Sequence, residues 1–332
     1  MKAIVLQRNL DSKIELVSMP DPELMPGEAL VRIKAAALNH RDEWCRQGLY
    51  PNLSDGVVLG SDGAGVVEKV CDESNSAWIG KEVIINPAMF WGEDQRAQSK
   101  DFKILGMPRN GTFGEYIAIP VDRLHHKPEH LTWEEAAALP LAGLTAFRAL
   151  TYQGQAKAGD QVLVTGIGGG VAQFAAQYAK ALGVTLSVSS SRSAKLEKAK
   201  ALGADFGFNY LEPDWIEQAL QAAGGFDVII DGAAGDAINN LIHVCKPGGR
   251  IVLYGATMGI PNKLEARKVY WNQLKIMGST MGSDRDFRQM VAFVEEKGIR
   301  PELDQIFSLE EAEKAFEKMK AGDQFGKIVF KL

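Results

Sequence analysis

Two kinds of hydrophobic pattern divide the chain. From residue 1 to about 120, short apolar runs such as Ala29-Leu30-Val31-Arg32-Ile33, Gly63-Ala64-Gly65-Val66-Val67 and Glu82-Val83-Ile84-Ile85 are separated by Gly, Pro and Asn. That punctuation predicts a compact β-rich domain. Beyond about residue 132, apolar strands alternate with segments of helical period, which predicts a parallel sheet with crossover helices. Residues 161–165 read as a buried strand. Val171, Phe174, Ala175, Tyr178 and Leu182 then recur at helical spacing, and residues 184–189 read as the second strand of a βαβ unit. Strands at Phe226–Asp231, 250–254 and 274–278 extend the sheet. Helices at Asp284–Lys297 and 309–320 and a strand at Lys327–Lys331 complete the prediction. A length of 332 residues exceeds what one hydrophobic core usually fills, in keeping with two domains.

Composition narrows the function classes. A formal net charge of -5 gives no basic footprint for a nucleic-acid partner. No apolar run is long enough for a membrane span. The apolar N-terminal run is broken by Arg8, Asp11 and Glu15 and reads as a first strand, not a signal segment. Three scattered cysteines, Cys45, Cys71 and Cys245, build neither a disulfide framework nor a zinc cluster. The expectation is a soluble cytoplasmic protein that acts on a small molecule.

The most telling segment is Gly166-Ile167-Gly168-Gly169-Gly170-Val171-Ala172, placed between a strand and a helix. A tight turn leaving a strand, and a backbone that must touch a pyrophosphate, both need residues without Cβ. The helix start that follows offers unpaired N–H groups to the anion. Gly166 and Gly169 take the first two glycine roles, Ala172 the third. An NAD-preferring site would carry an acidic residue near the end of the second strand. Here that strand runs into Ser189-Ser190-Ser191-Arg192-Ser193, with Lys195 beyond and no acid before Glu197. Ser190, Arg192 and Lys195 suit a 2′-phosphate, so NADPH is the expected cofactor. Arg192 and Lys195 equally fit the solvated face of a helix.

Residues 39–51 (Asn-His-Arg-Asp-Glu-Trp-Cys-Arg-Gln-Gly-Leu-Tyr-Pro), 59–67 (Leu-Gly-Ser-Asp-Gly-Ala-Gly-Val-Val), 111–116 (Gly-Thr-Phe-Gly-Glu-Tyr), 139–146 and Asn209-Tyr210 carry a family pattern. Over essentially its whole length the chain resembles the medium-chain dehydrogenase/reductase superfamily, in its zinc-free, quinone oxidoreductase-like branch. The resemblance implies an α/β fold with two domains. A Rossmann-type doubly wound parallel sheet would span 125–282, and a β-rich GroES-like catalytic domain would be split between 1–124 and 283–332. Positions matching the zinc ligands of the alcohol dehydrogenases hold Asn39, Ser61 and Leu141, and the stretch matching their structural zinc lobe, 91–110, has no cysteine. Leucine has no donor atom, and a neutral amide and hydroxyl are poor zinc ligands. The five histidines, His40, His125, His126, His130 and His243, lack partners at metal-binding spacing, so no metal is expected.

Without a Lewis acid, hydride transfer to a simple ketone is handicapped, whereas a quinone or an α,β-unsaturated carbonyl spreads the developing charge. The expected function is therefore an NADPH-dependent quinone or enone reductase. Two alternatives stay open: a zinc-type alcohol dehydrogenase or carbonyl reductase, and a non-catalytic NADPH-binding sensor. By resemblance, Asn39, Trp44 and Tyr50 face the nicotinamide, with Tyr50 as proton or hydrogen-bond donor; Trp44 and Tyr50 also fit as ordinary core aromatics. Gly143 and Thr145 lie near the nicotinamide and pyrophosphate, and Tyr210 flanks the 2′-phosphate. Tyr254, Gly255, Ser279, Thr280 and Met281, at strand ends, complete the cofactor site with Gly168, Gly170 and Val171. The strand at 274–278 is the expected edge of a homodimer. Asp231 is read as a cap for the following helix, and 91–110 as a flap or a disordered surface loop.

Overall fold

The computed structural model describes residues 1–332 and separates into two units, Met1–Leu144 with Gly282–Leu332, and Thr145–Met281. The first unit begins with an antiparallel pair, β1 (Lys2–Leu6) and β2 (Ile14–Ser18). There follow β3 (Glu28–Ala37), α1 (His40–Gln47), β4 (Asp62–Val70), β5 (Glu82–Ile85), β6 (Ala88–Met89), β7 (Lys103–Ile104), β8 (Tyr116–Pro120), β9 (Leu124–His126) and α2 (Trp133–Ala138). The unit boundary falls inside α3 (Pro140–Phe147). Sequence reading ended this domain at 124; the unit extends to Leu144 because α2 packs on β3 and β4. Thr132 and Glu135 form a capping box that starts α2, and Ala136, Ala137 and Ala138 are its buried residues.

The second unit is a single parallel sheet. Its elements are β10 (Gln161–Val164), α4 (Gly170–Ala181), β11 (Thr185–Ser190), α5 (Ser193–Ala201), β12 (Phe206–Asn209), α6 (Trp215–Ala223), β13 (Phe226–Asp231), α7 (Ile238–Val244), β14 (Cys245–Leu253), α8 (Ala266–Trp271) and β15 (Lys275–Gly278). Strand order is β12-β11-β10-β13-β14-β15. This is the doubly wound arrangement, whose order reverses between β10 and β13, and ligands of such sheets bind beyond the carboxyl ends at that switch. β14 begins earlier than the pattern suggested, because the Gly248-Gly249 turn is carried inside it with a register shift against β13.

The chain then returns to the first unit with α9 (Asp284–Lys297), β16 (Leu303–Phe307), α10 (Ala312–Ala321) and β17 (Lys327–Lys331). β17 inserts between β16, parallel, and β3, antiparallel, so the sheet runs β16-β17-β3-β4-β5-β9, with β8 also paired to β3. Phe113 meets the edges of Phe316 and Phe330 at ring-centroid distances of 6.3 and 4.9 Å, at the centre of this core.

Residues 91–110 are anchored to the first unit at both ends. Trp91, Leu105 and Met107 are buried, Trp91 meets the edge of Phe102, and β6 pairs with β7. Their apolar side chains dock the segment on the core despite its polar composition. No helix is long and apolar enough to cross a membrane.

Candidate active site

In the second unit, the glycine turn leaves the carboxyl end of β10 at the switch point. Gly166 adopts φ +63, the left-handed region that L side chains avoid, and Gly169 N donates to Gly166 O at 3.0 Å to close the turn. Gly169 also heads α4, where no side chain caps the helix. The first N–H groups of a helix have no intrahelical partner, so the α4 start, at Gly170 and Val171, is left open to an anion. Gln173 braces the turn from within, its Nε2 donating to Ile167 O at 2.6 Å. Gly168 is buried beneath it.

Four expected residues meet at the ends of β11 and β12. Ser190 pairs in register with Asn209, and Tyr210 N donates to Ser190 O at 3.2 Å. Arg192 N donates to Ser190 Oγ, and Arg192, in turn, is the residue from which α5 starts, with Lys195 in its first turn. Arg192 is exposed and Tyr210 is 46% exposed, so cationic and aromatic groups front solvent with no carboxylate among them. This donor set fits a 2′-phosphate, and the uncapped α4 start fits a pyrophosphate; together they would hold NADPH.

The remaining cofactor candidates are spread over the second unit and one helix of the first. Thr145 Oγ1 donates to Met281 Sδ at 3.7 Å, and Met281 holds φ +44. Ser279 N donates to Leu253 O, while the buried Ser279 Oγ has no partner; Thr280 follows it, exposed. Tyr254 packs against Gly232, where an added Cβ would lie 2.6 Å from its ring, and Gly255 closes on Gly232 O. Burial raises the Tyr254 phenol well above its usual range, with the nearby Asp231 charge adding to it. Gly143 is a buried residue of α3 in the first unit.

Asp231 does not cap a helix. Its Oδ2 accepts from Ala233 and Ala234 N, and its Oδ1 from Thr165 Oγ1. The following helical turn is headed instead by Ala234, so Asp231 ties the β13 end to the glycine turn.

In the first unit, α1 gathers a buried charge cluster. Asn39 heads the helix, its backbone N donating to Asp42 Oδ2 at 2.9 Å. The Asn39 amide is fully used: Nδ2 donates to Asp62 Oδ2 at 2.9 Å and Oδ1 accepts from Lys327 Nζ at 2.6 Å. Lys327 Nζ also bonds Leu38 O and Asp62 Oδ2, each at 3.0 Å, and Asp62 Oδ1 accepts from Leu141 N. Burial pushes the Asp62 carboxyl up, and Lys327 pulls it back down. Ser61 Oγ accepts from Arg41 Nη1 at 2.6 Å and donates to Leu105 O at 2.8 Å. The Arg41 guanidinium lies over the half-buried Tyr50 ring, 4.7 Å from its centroid, and Trp44 meets His40 edge-on at 6.1 Å.

Arg41, Asp62 and Lys327 escaped sequence reading. A charged residue opening a strand directly before a run of apolar or small residues, as Asp62 opens β4 and Lys327 opens β17, was the available signal. The Asn39 amide, expected to face the nicotinamide, is bonded to Asp62 and Lys327. Among the histidines, His126 stacks on Trp78, His125 meets Phe287 at a tilt, His130 Nε2 lies 3.0 Å from Ile299 O, and His243 pairs with Glu265. No group of three or more His, Cys, Asp or Glu side chains is arranged to hold a metal ion.

Residues 25–129 match the model of the alcohol dehydrogenase GroES-like domain, and residues 170–296 that of the zinc-binding dehydrogenases. The chain is 36% identical over 340 residues to a zinc-type alcohol dehydrogenase-like protein, YogA, of Leptosphaeria maculans, spanning 96% of this chain and 94% of that protein. A solved NAD-dependent alcohol dehydrogenase, 36% identical, superposes with a TM-score of 0.93 over 100% of both chains. The quinone oxidoreductase of Thermus thermophilus, solved also with NADPH, is 29% identical with a TM-score of 0.81, again over 100% of both chains.

Proposed function

The chain belongs to the medium-chain dehydrogenase/reductase superfamily, and from that premise we propose that it is an NADPH-dependent reductase that delivers hydride to a quinone or an α,β-unsaturated carbonyl without a metal. That it is an oxidoreductase acting on a small molecule follows from the family; the acceptor class, the cofactor and the metal independence are our reading.

One observation carries it. At the three positions where zinc-dependent relatives would need ligands, the Asn39 amide is held between Asp62 and Lys327, the Ser61 hydroxyl between Arg41 and Leu105 O, and Leu141 has no donor atom. The carboxylate nearest these positions, Asp62, is itself engaged by Lys327, Asn39 and Leu141 N. The Ser190, Arg192, Lys195 and Tyr210 group supports NADPH, which supplies the hydride when bound.

The protein's own part is then positioning and charge. A conjugated acceptor takes hydride at carbon and spreads the negative charge to its oxygen, so it needs a shaped, polarised site more than a strong Lewis acid. Trp44 walls that site and Tyr50 donates a hydrogen bond or proton to the acceptor oxygen. Asn39 acts one step back, locking Asp62 to Lys327. Gly143, Thr145, Ser279, Thr280 and Met281 line the nicotinamide end.

A homodimer through β15 completes the reading. β15 has a neighbour on one side only, and Ile260, Tyr270 and Trp271 are 89%, 66% and 77% exposed in the same unit. An unpaired edge in a unit that also exposes large apolar side chains is a pairing template. Light scattering that returns only the 36.2 kDa monomer overturns this part.

Turnover tests the main reading. NADPH oxidation followed with 1,4-benzoquinone and with an enone is expected to survive exhaustive chelation and to outpace NADH. Activity that chelator abolishes and zinc restores, with an alcohol as reductant, would establish the zinc-type alternative that the YogA relative's name carries. Tight NADPH binding with no turnover on any acceptor would favour a sensor.

A further inference from the structure

Arg41 is the other buried cation of the cluster at α1, and its pairing differs from that of Lys327. Its side chain is 6% exposed. Nη1 donates to Ser61 Oγ and to Leu105 O, each at 2.6 Å, and Nη2 reaches Met107 O at 3.5 Å. None of these acceptors carries a charge. The facing carboxylate, Asp42, stays 3.8 Å from Nη1 and gives its Oδ2 to Asn39 N. Asp42 Oδ1 and Arg41 Nε are both buried without a hydrogen-bond partner. Lys327, by comparison, touches Asp62 at 3.0 Å. Arg41 is thus a desolvated positive charge, loosely compensated, set directly behind the Tyr50 ring. Inside a protein such a charge is felt more strongly than in water.

We propose that Arg41 supplies the positive potential that stabilises the oxyanion formed on the acceptor, acting through Tyr50 and Ser61 as a positioning residue. The idea rests on the reductase reading above. When an enone accepts hydride from the reduced nicotinamide, a C–H bond forms at its β-carbon and the C=C π bond breaks. The electron pair moves to the carbonyl oxygen as an enolate, the cofactor is left oxidised, and the enolate then takes a proton from Tyr50 or water. A quinone takes the same hydride and becomes a hydroquinone monoanion before its proton arrives. In both, negative charge gathers on one oxygen, and a fixed guanidinium lowers the energy of that state more than of the neutral acceptor.

The competing role for Arg41 is a structural bolt from α1 to residues 105–107. Turnover by the wild-type protein is measured first; its absence on every quinone and enone retires the reductase reading before any variant is examined. Arg41→Met is then expected to lower kcat about 30- to 100-fold with little change in KM, less than the roughly 100- to 1000-fold lost with a donor that touches the oxyanion itself, because Arg41 acts through other residues. Arg41→Lys is expected to recover a substantial part of that loss. A readout independent of turnover is binding of 4-nitrophenolate relative to neutral 4-nitroanisole, by calorimetry on the protein loaded with the oxidised cofactor. Its preference for the anion is expected to fall about tenfold in Arg41→Met, as for any lost charge-assisted contact. Asp42→Asn serves where Arg41→Met does not fold. It removes the opposing charge and keeps an acceptor for Asn39 N, so at pH 8 the anion preference is expected to rise. The proposal is overturned if folded Arg41→Met keeps the wild-type kcat and anion preference, if its kcat falls only in step with its Tm while the preference holds, or if Asp42→Asn leaves the preference unchanged.

Discussion

At the end of β11, Arg192 meets solvent from the start of a helix and Ser190 stands in register with its neighbouring strand, all within a few residues of one another. In the first unit, Asp62 and Lys327 are 0% and 4% exposed and come from strands 265 residues apart. The first arrangement stands at the surface, so it costs the fold little desolvation. The second has given up water already, and each charge depends on the other. One region spends charge on recognition, the other on holding the site's own geometry, and substitutions should separate the two.

The largest effect is expected from Lys327→Met. It leaves Asp62 buried without its cation, which costs about 3–5 kcal/mol and, at roughly 2–4 °C per kcal/mol for a domain of this size, lowers Tm by about 6–20 °C. Adding Asp62→Asn should return most of that loss, because the stranded charge is gone. A Tm for Lys327→Met within about 2 °C of wild type, a shift worth no more than about 1 kcal/mol, would show that the pair is not coupled to stability.

Arg192→Ala probes the opposite regime. One charged hydrogen bond is worth about 1.5–3 kcal/mol to a ligand, so NADPH affinity is expected to fall about 10- to 100-fold. NADH affinity and Tm should stay where they are, since the side chain is exposed. Titration calorimetry with both cofactors decides it; equal losses for NADPH and NADH would remove the 2′-phosphate assignment.

The smallest effect concerns Asp42. Burial raises its carboxyl to about 6, the Arg41 charge and the Asn39 N–H offsetting only part of that rise. The unfolded value is about 3.9, so the folded chain binds this proton first. Its contribution to stability grows as pH falls from about 6 to about 4 and is lost as pH rises through 6. The Tm gap between wild type and Asp42→Asn should therefore move in favour of wild type between pH 7 and pH 5. His125, lowered to about 4 by burial and by Arg123, works in the other direction but is present in both proteins and cancels in the gap. A gap that does not change with pH would contradict the direction given for Asp42.

Local sequence carried the second unit further than the first. The glycine turn is flanked by β10 and α4 within a dozen residues, so its strand, bend and helix start were legible from adjacent letters. α5, which stands only as one of two readings of Arg192 and Lys195, buries just Leu196 and Ala199 among its lysines, and β12 was missed because it is a four-residue strand at the sheet edge. The charge cluster is another matter. Asn39 was singled out by its place in a motif, yet its partners are Asp62, 23 residues on, and Lys327, 288 residues on. Periodicity reports which face of an element is buried and is silent on which polar groups meet there. The cation over Tyr50 was invisible for the same reason, although Arg41 lies in the first turn of one short helix and Tyr50 just beyond its end.

β17, threaded between β16 and β3, has a further consequence for how the chain acquires its structure. The six strands of the second unit lie in one uninterrupted stretch, 145–281, and that sheet is complete as soon as those residues are available. The first unit cannot close until residues beyond 282 arrive to fill the slot beside β3 and to bring a lysine to Asp62. During synthesis from the N-terminus, the later half of the sequence is therefore able to reach its folded form before the earlier half, which waits with an unneutralised carboxylate and an open strand edge.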